Sequence, residues 1–352
     1  MIISDTRPLP PYTSGLTLES AVFTQVTAVL ALDYMRSHGD DFEYHLLSGF
    51  GGCTLDPERA CYHPEHRVKH SAWCKLVSTS IALRSRLAKH GDDVEKRSYV
   101  VTLDSDMAFS RGAESISAHV ESDILCKSKP RGGGKLDKKL LGAGFSLAID
   151  PRDSVCKGTE GDCVGRKNAL SIFTPVDPNG GFLQSGMMTY RREEAALSLL
   201  AEWWGEDFRG FPWEQDPLNT KLWPRHVDEI AALGCGRAFS RNPLFIGGDF
   251  VHRWINYTEV PEKLLEFKGE GGEGWWVSHL THFDEGRHPG ARAKFFKVIA
   301  KWRGIDNQRF RELYKELMSR HVFRHSVEDI TAESIRLHEA QGGGGRTEAG
   351  AG

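Results

Sequence analysis

The stretch YVVTLDSD, residues 99–106, sets the first constraint on the fold: an unbroken apolar run that ends in two carboxylates, Asp104 and Asp106, with only Ser105 between them. Five residues rich in β-branched and aromatic side chains read as a strand buried on both faces, the kind found in parallel sheets covered by helices. Alternate residues of an extended chain point the same way, so Asp104 and Asp106 are expected to face one spot just past the strand's end. Open α/β sheets bind ligands there, outside the carboxyl ends of their strands. Two bare carboxylates at one spot repel, and one takes up a proton unless a positive charge lies between them. A divalent cation removes the conflict, and oxygen ligands suit magnesium or manganese, which usually also hold substrate phosphates. The plainer alternative, acids that cap the next segment or face water, fits less well with so regular a buried strand leading into them.

The flanking segments supply the rest of an α/β succession. Residues 16–37 carry Leu18, Val22, Val26, Val29 and Leu30 at helical spacing and stop at Gly39, a helix C-terminus signal. FEYHLLSG (42–49) reads as a strand, and HSAWCKLVSTSIALRSRLAKHG (70–91) as a helix that leads into the strand at 99. Further on, ALSIFTPVD (169–177) and GGFLQSGMMTYRR (180–192) read as strands, and Ala196, Leu199, Leu200 and Trp203 mark one face of a helix. Two more helices are expected over about 291–303 and 306–320. Strand–helix–strand order at this spacing predicts a parallel sheet with crossover helices. Residues 127–139, KSKPRGGGKLDKK, with six basic side chains and three consecutive glycines, read as a mobile loop that is either solvated or touches a phosphate. The final QGGGGRTEAGAG reads as a disordered tail. The expected division is an N-terminal extension over 1–15, one α/β domain over 16–290, a helical C-terminal extension over 291–338 and a tail over 339–352.

A chain of 352 residues with 39% hydrophobic content can build a large core. Its formal net charge of -3 argues against holding nucleic acid by bulk electrostatics, so any phosphate must be held by a local site. The apolar run AVFTQVTAVLAL, residues 21–32, falls short of the roughly 20 residues that cross a bilayer. It lacks a basic flank and a cleavage site, so membrane association is expected only through an anchor outside this sequence. Seven cysteines without a CxxC pair argue against a zinc ribbon. Cys53 with Cys61, and Cys156 with Cys163, could each close a loop in an oxidising compartment or stay as free thiols. The sequon Asn256-Tyr257-Thr258 leans toward the secretory route.

Five stretches, AWCKLVSTSIAL (72–83), VVTLDSD (100–106), LQSGMMTYRREEAALSLLAEWW (183–204), FPWEQDPLN (211–219) and WVSHLTHF (276–283), occur in the order seen in metal-dependent GT-A glycosyltransferases. The chain resembles the galactosyl and xylosyl transferases of the galactomannan and xyloglucan type, and more distantly glycogenin-like enzymes, over roughly residues 40–290. The resemblance implies a GT-A, Rossmann-like α/β fold with a mixed, mostly parallel sheet flanked by helices. It implies transfer of a hexose or pentose from a nucleotide-diphosphate sugar, a UDP-sugar, to a glycan or glycoprotein hydroxyl, with Mn2+ or Mg2+ as cofactor and retention of configuration. It places Asp104, Asp106 and either His279 or His282 on the metal, His279 being preferred. Lys75, Asp104, Ser105, Ser185 and Gly186 are placed at the donor. Gln184 stands where the family usually has Asn, which puts the donor's sugar in doubt. Glu214 and Asp216 are placed facing the acceptor and the transferred sugar. Relatives of this kind work in the Golgi.

Other readings stay open on the residues alone. Asp104 could be the nucleophile of a haloacid-dehalogenase-type phosphatase, although Ala108 stands where that pattern wants Thr or Val. The chain could also be a nucleotide-sugar-binding module without turnover. Trp73, Trp203 and Trp204 read as core, Arg191 and Arg192 as helix-start charges, and Glu214 could instead cap a helix.

Overall fold

The computed structural model describes residues 1–7, 9–47, 61–90, 99–109, 115–116, 171–175, 183, 185–191, 194–206, 214–226, 229–233, 245–246, 277–280 and 290–343. Among them, seven strands form the main sheet: β1 (Ile2–Asp5), β2 (Glu43–Leu47), β5 (Tyr99–Leu103), β7 (Ile172–Pro175), β8 (Met187–Arg191), β9 (Ile230–Leu233) and β12 (Val322–His325). Their order is β12-β2-β1-β5-β8-β7-β9. The pairs β12–β2, β2–β1, β1–β5 and β7–β9 are parallel, whereas β8 runs antiparallel to both β5 and β7. The sheet is therefore mixed and mostly parallel, as the resemblance implies, with β8 departing from the all-parallel order that strand–helix spacing alone predicts. A hairpin of β3 (Cys61–His63) and β4 (Arg67–Lys69) and a second sheet, β10 (Phe245–Ile246), β11 (Val277–Leu280) and β6 (Met107–Phe109), complete the strands.

Alternation along each strand divides the core in two. Ile3, Val101, Leu103, Phe173 and Met187 join one apolar cluster with helices α1 (Phe23–His38), α5 (Ala291–Trp302) and α6 (Asn307–Glu316). Their sheet neighbours Ile2, Val100, Ile172, Met188 and Tyr190 join the other, with α2 (Cys74–His90), α3 (Glu194–Gly205) and α7 (Val327–Gly343). A strand covered on both faces reads as a continuous apolar run, which is why YVVTL has no polar face. α1 is buried almost all round because α5, α6 and β6 pack around it. It ends, as expected, at Gly39, whose φ of 71° is the left-handed conformation that glycine adopts without strain. Trp73, Trp203 and Trp204 are wholly buried core residues.

Four expectations are corrected. Residues 1–15 are no extension, because β1 is a central strand between β2 and β5; four residues, IISD, are too short a window for a period to register. The segment after 290 is likewise part of the domain: β12 adds a parallel edge strand to β2, and α7 packs on α2, α3 and β3. α7 runs to Gly343, so residues 339–343 are helical rather than tail. Finally, Cys61 is disulfide-bonded to Cys74, not to Cys53, since the β3–β4 hairpin returns the chain to the start of α2. Cys53, Cys156, Cys163, the loop 127–139 and the sequon lie outside the described residues.

Candidate active site at the end of the central strand

Asp104 follows β5 directly, and its place is fixed from both sides of the sheet rim. Its backbone N–H donates to Gly186 O at 2.7 Å, and its carbonyl accepts from Met107 N–H at 3.0 Å. That second bond closes a tight turn over 104–107, for which Asp is a favoured first residue. Asp104 and Asp106 therefore do not face one spot by strand alternation: the chain has left the extended conformation, and the two carboxylates meet different cations. Thr27 on α1 donates to Ser105 O at 2.7 Å and pins the turn to the helix below.

Lys75, on the first turn of α2, reaches the turn from one side. Its Nζ lies 3.1 Å from Asp104 Oδ1, 2.5 Å from Glu214 Oε1 and 2.9 Å from Ser185 O. Burial works against its charge, but Asp104 and Glu214 outweigh burial, so its pKa is raised and the ammonium stays charged. Glu214 is 3% exposed and accepts from Ser185 Oγ at 2.7 Å. It stands at the N-cap of α4, the helical segment 215–225, but makes no side-chain capping bond, its carboxylate having turned to Lys75 instead. Its second oxygen is buried and makes no hydrogen bond among the described residues. Trp203 Nε1 donates to Glu214 O at 2.8 Å, tying this residue to α3.

On the other side of the turn stand two arginines. Arg7, just past β1, forms a two-pronged pair with Asp5 through Nε at 2.9 Å and Nη2 at 2.8 Å, and Nη2 also donates to Ser105 Oγ. Arg292, at the start of α5, lies 3.9 Å from Asp106 Oδ2. Both guanidinium groups lie over the ring of Phe23, at 4.7 and 5.0 Å from its centroid.

Of the residues picked out in the sequence, Lys75, Asp104, Ser185 and Glu214 are therefore joined by direct bonds, with Gly186 and Ser105 holding the turn. Ser185 and Glu214 are buried, so they brace Lys75 rather than face outward. Asp216 is half-buried, with burial raising its pKa against the pull of Lys221, and among the described residues no bond joins it to Lys75. His279 lies in β11 with its backbone paired opposite Met107, one residue beyond Asp106. Gln184 and His282 lie outside the described residues. Arg7, Phe23 and Arg292 carry no signal in the sequence, because no spacing rule links positions so far apart. Nor does Asn219, which bonds Leu183 N at 2.7 Å and Leu183 O at 3.0 Å and so fixes the chain one residue before Gln184.

The donor set fits a hard divalent cation in kind. Asp104 and Asp106 offer oxygen ligands and keep 33% and 19% of their side chains exposed. Among the described residues no group of three or more His, Cys, Asp or Glu is gathered for a metal.

No protein-family model matches the chain, and no curated protein matches it. Among solved structures, the crystal structure of a glycosyltransferase involved in the glycosylation of the major capsid of PBCV-1 is similar over 84% of this chain and 98% of its own, at 12% sequence identity and a TM-score of 0.37. At that distance, function has to be argued from the site's own residues. Among the described residues, no helix is long and apolar enough to cross a membrane.

Proposed function

We propose that the chain is a GT-A-type glycosyltransferase that moves a hexose or pentose from a nucleotide-diphosphate sugar, a UDP-sugar, to a glycan or glycoprotein hydroxyl. One observation carries the reading: Lys75, largely buried, is held charged beside the Asp104 turn at the carboxyl end of a central strand. Sites at this place in α/β sheets take nucleotides, and a fixed cation there suits a diphosphate.

In the transfer, the bond from the sugar's anomeric carbon to the diphosphate breaks and its electron pair goes to the phosphate oxygen. A new bond forms from that carbon to the acceptor oxygen, whose proton leaves with the diphosphate. Charge builds on the outer phosphate as this happens, and fixed cations aimed at it lower the barrier. Lys75 supplies one such charge, with Glu214 and Ser185 holding its position. Asp104, Asp106 and His279 are the residues that would hold Mn2+ or Mg2+, which when bound adds Lewis-acid stabilisation of the same phosphates. A front-face displacement with retention fits a site in which Asp104, Asp106 and Glu214 face cations rather than standing as free nucleophiles. The Cys61–Cys74 disulfide fits an oxidising compartment such as the Golgi lumen.

The test is a thermal-shift series with UDP-, GDP- and CMP-sugars, with and without manganese, followed by slow donor hydrolysis. A UDP-sugar is expected to raise Tm and to be hydrolysed, and Asp104→Ala to abolish both. Trapping a phosphoaspartate at Asp104, or full turnover by Asp104→Ala, would overturn the reading.

A further inference from the structure

Phe23 carries two cations on one ring. Arg7 and Arg292 come from opposite ends of the chain, yet their guanidinium carbons lie 4.7 and 5.0 Å from the same centroid. Bringing like charges together is unfavourable unless anions compensate. Arg7 has its compensation in Asp5, which is 5% exposed and occupies Nε and Nη2. That pair fixes the plane of the guanidinium and leaves Nη1 with no partner among the described residues, on a side chain that is 36% exposed. Arg292 lies 3.9 Å from Asp106, an electrostatic approach longer than a hydrogen bond. The DSD turn therefore has Lys75 on one flank and an arginine pair on the other. Guanidinium forks match the paired oxygens of phosphate better than a lone ammonium does.

We propose that Arg7 and Arg292, spaced by Phe23, hold the diphosphate of the donor from the flank of the turn opposite Lys75. Asp5 positions Arg7, and Asp106 lies within ionic reach of Arg292 at the site. The assignment rests on the nucleotide-sugar reading for the identity of the ligand, whereas the pair itself calls only for a diphosphate.

Calorimetry with inorganic pyrophosphate, in EDTA and again with manganese, tests it on the full chain. Arg292→Ala is expected to weaken pyrophosphate at least tenfold under both conditions, Arg292→Lys by less, and Phe23→Leu about threefold with both charges kept. Arg7→Ala leaves the buried Asp5 unpaired and can unfold the chain, so Arg7→Lys and the double change Asp5→Asn with Arg7→Gln replace it, each checked by its melting curve. Pyrophosphate bound as tightly by folded Arg292→Ala and Arg7→Lys as by the unaltered chain would overturn the proposal, and so would no binding by the unaltered chain at millimolar pyrophosphate. Arginine-dependent pyrophosphate binding with no UDP-sugar bound or hydrolysed would uphold the pair and sink the glycosyl-transfer reading. UDP-sugar turnover that survives Arg292→Ala with unchanged UDP affinity would do the reverse.

Discussion

Two buried lysines, Lys69 and Lys75, stand six positions apart in the sequence and are treated in opposite ways. Lys69 is wholly buried; its ammonium donates to Trp204 O and Glu206 O and lies 3.8 Å from the Trp73 ring centroid and 5.1 Å from that of Trp204. Lys75 sits at the sheet rim between Asp104 and Glu214. Carbonyls and indoles give Lys69 an enclosed seat that ties the β3–β4 hairpin to α3. Lys75 is paired with carboxylates, one of which is 33% exposed and open to exchange for a phosphate. A buried cation is a site candidate when its partners can be traded for ligand, not simply because it is buried.

The comparison can be broken most sharply at Lys75. Lys75→Met is expected to cost about 3–5 kcal/mol in urea unfolding, because it leaves Glu214 buried and unpaired, and to abolish UDP binding. Adding Glu214→Gln should restore part of the stability but none of the binding; recovery of both would refute the assigned role. The disulfide comes next. It joins Cys61 to Cys74 across a separation of 13, enclosing Lys69 in its loop and ending one residue before Lys75, and Cys61→Ser with Cys74→Ser should lower stability by about 3 kcal/mol while leaving UDP affinity within twofold. Lys69→Met should cost about 1–3 kcal/mol, the penalty for unsatisfied carbonyls, again with binding retained. A large loss of binding in Lys69→Met would erase the contrast between the two lysines.

The smallest effect is titratable. His63, in the hairpin that ends at Lys69, has its pKa pushed down to about 3, first by burial and then by Lys69, His66 and His338. In the unfolded chain histidine titrates near 6.5, so between pH 6.5 and 3 the unfolded state holds the extra proton and stability rises with pH. The contribution is complete above pH 6.5 and is lost as pH falls toward 3. One proton sets a slope of at most about 1.4 kcal/mol per pH unit. Urea midpoints at pH 6.5 and 5.5 should therefore fall less in His63→Gln than in the unaltered chain, and equal falls in both would exclude His63 as the cause.

Several parts of this site were legible before folding. VVTL ahead of Asp104 predicts a buried strand with acids at its end, and the helix carrying Lys75 follows from apolar spacing in residues 70–91. Both are local patterns, set by what a few consecutive residues can bury. The manner in which Asp104 and Asp106 are presented was not legible, since the turn is closed by Met107 N–H and held by Gly186 O and Thr27, contacts that alternation does not encode. Nor was the pairing of Cys61 with Cys74, because it depends on a hairpin of three-residue strands.

The sequence by itself determined the elements: strands covered on both faces, helices ending at glycine, and carboxylates at the end of a central strand. Only the tertiary structure decided which charges meet. It set β1 beside β5, brought Glu214 onto Lys75, and carried Arg7 and Arg292 to one phenyl ring. The physical reason is range. Backbone preference and apolar period act over a handful of residues, whereas an ion pair between distant segments exists only after the sheet and its two helical layers have packed, and nothing at either end of the chain announces its partner.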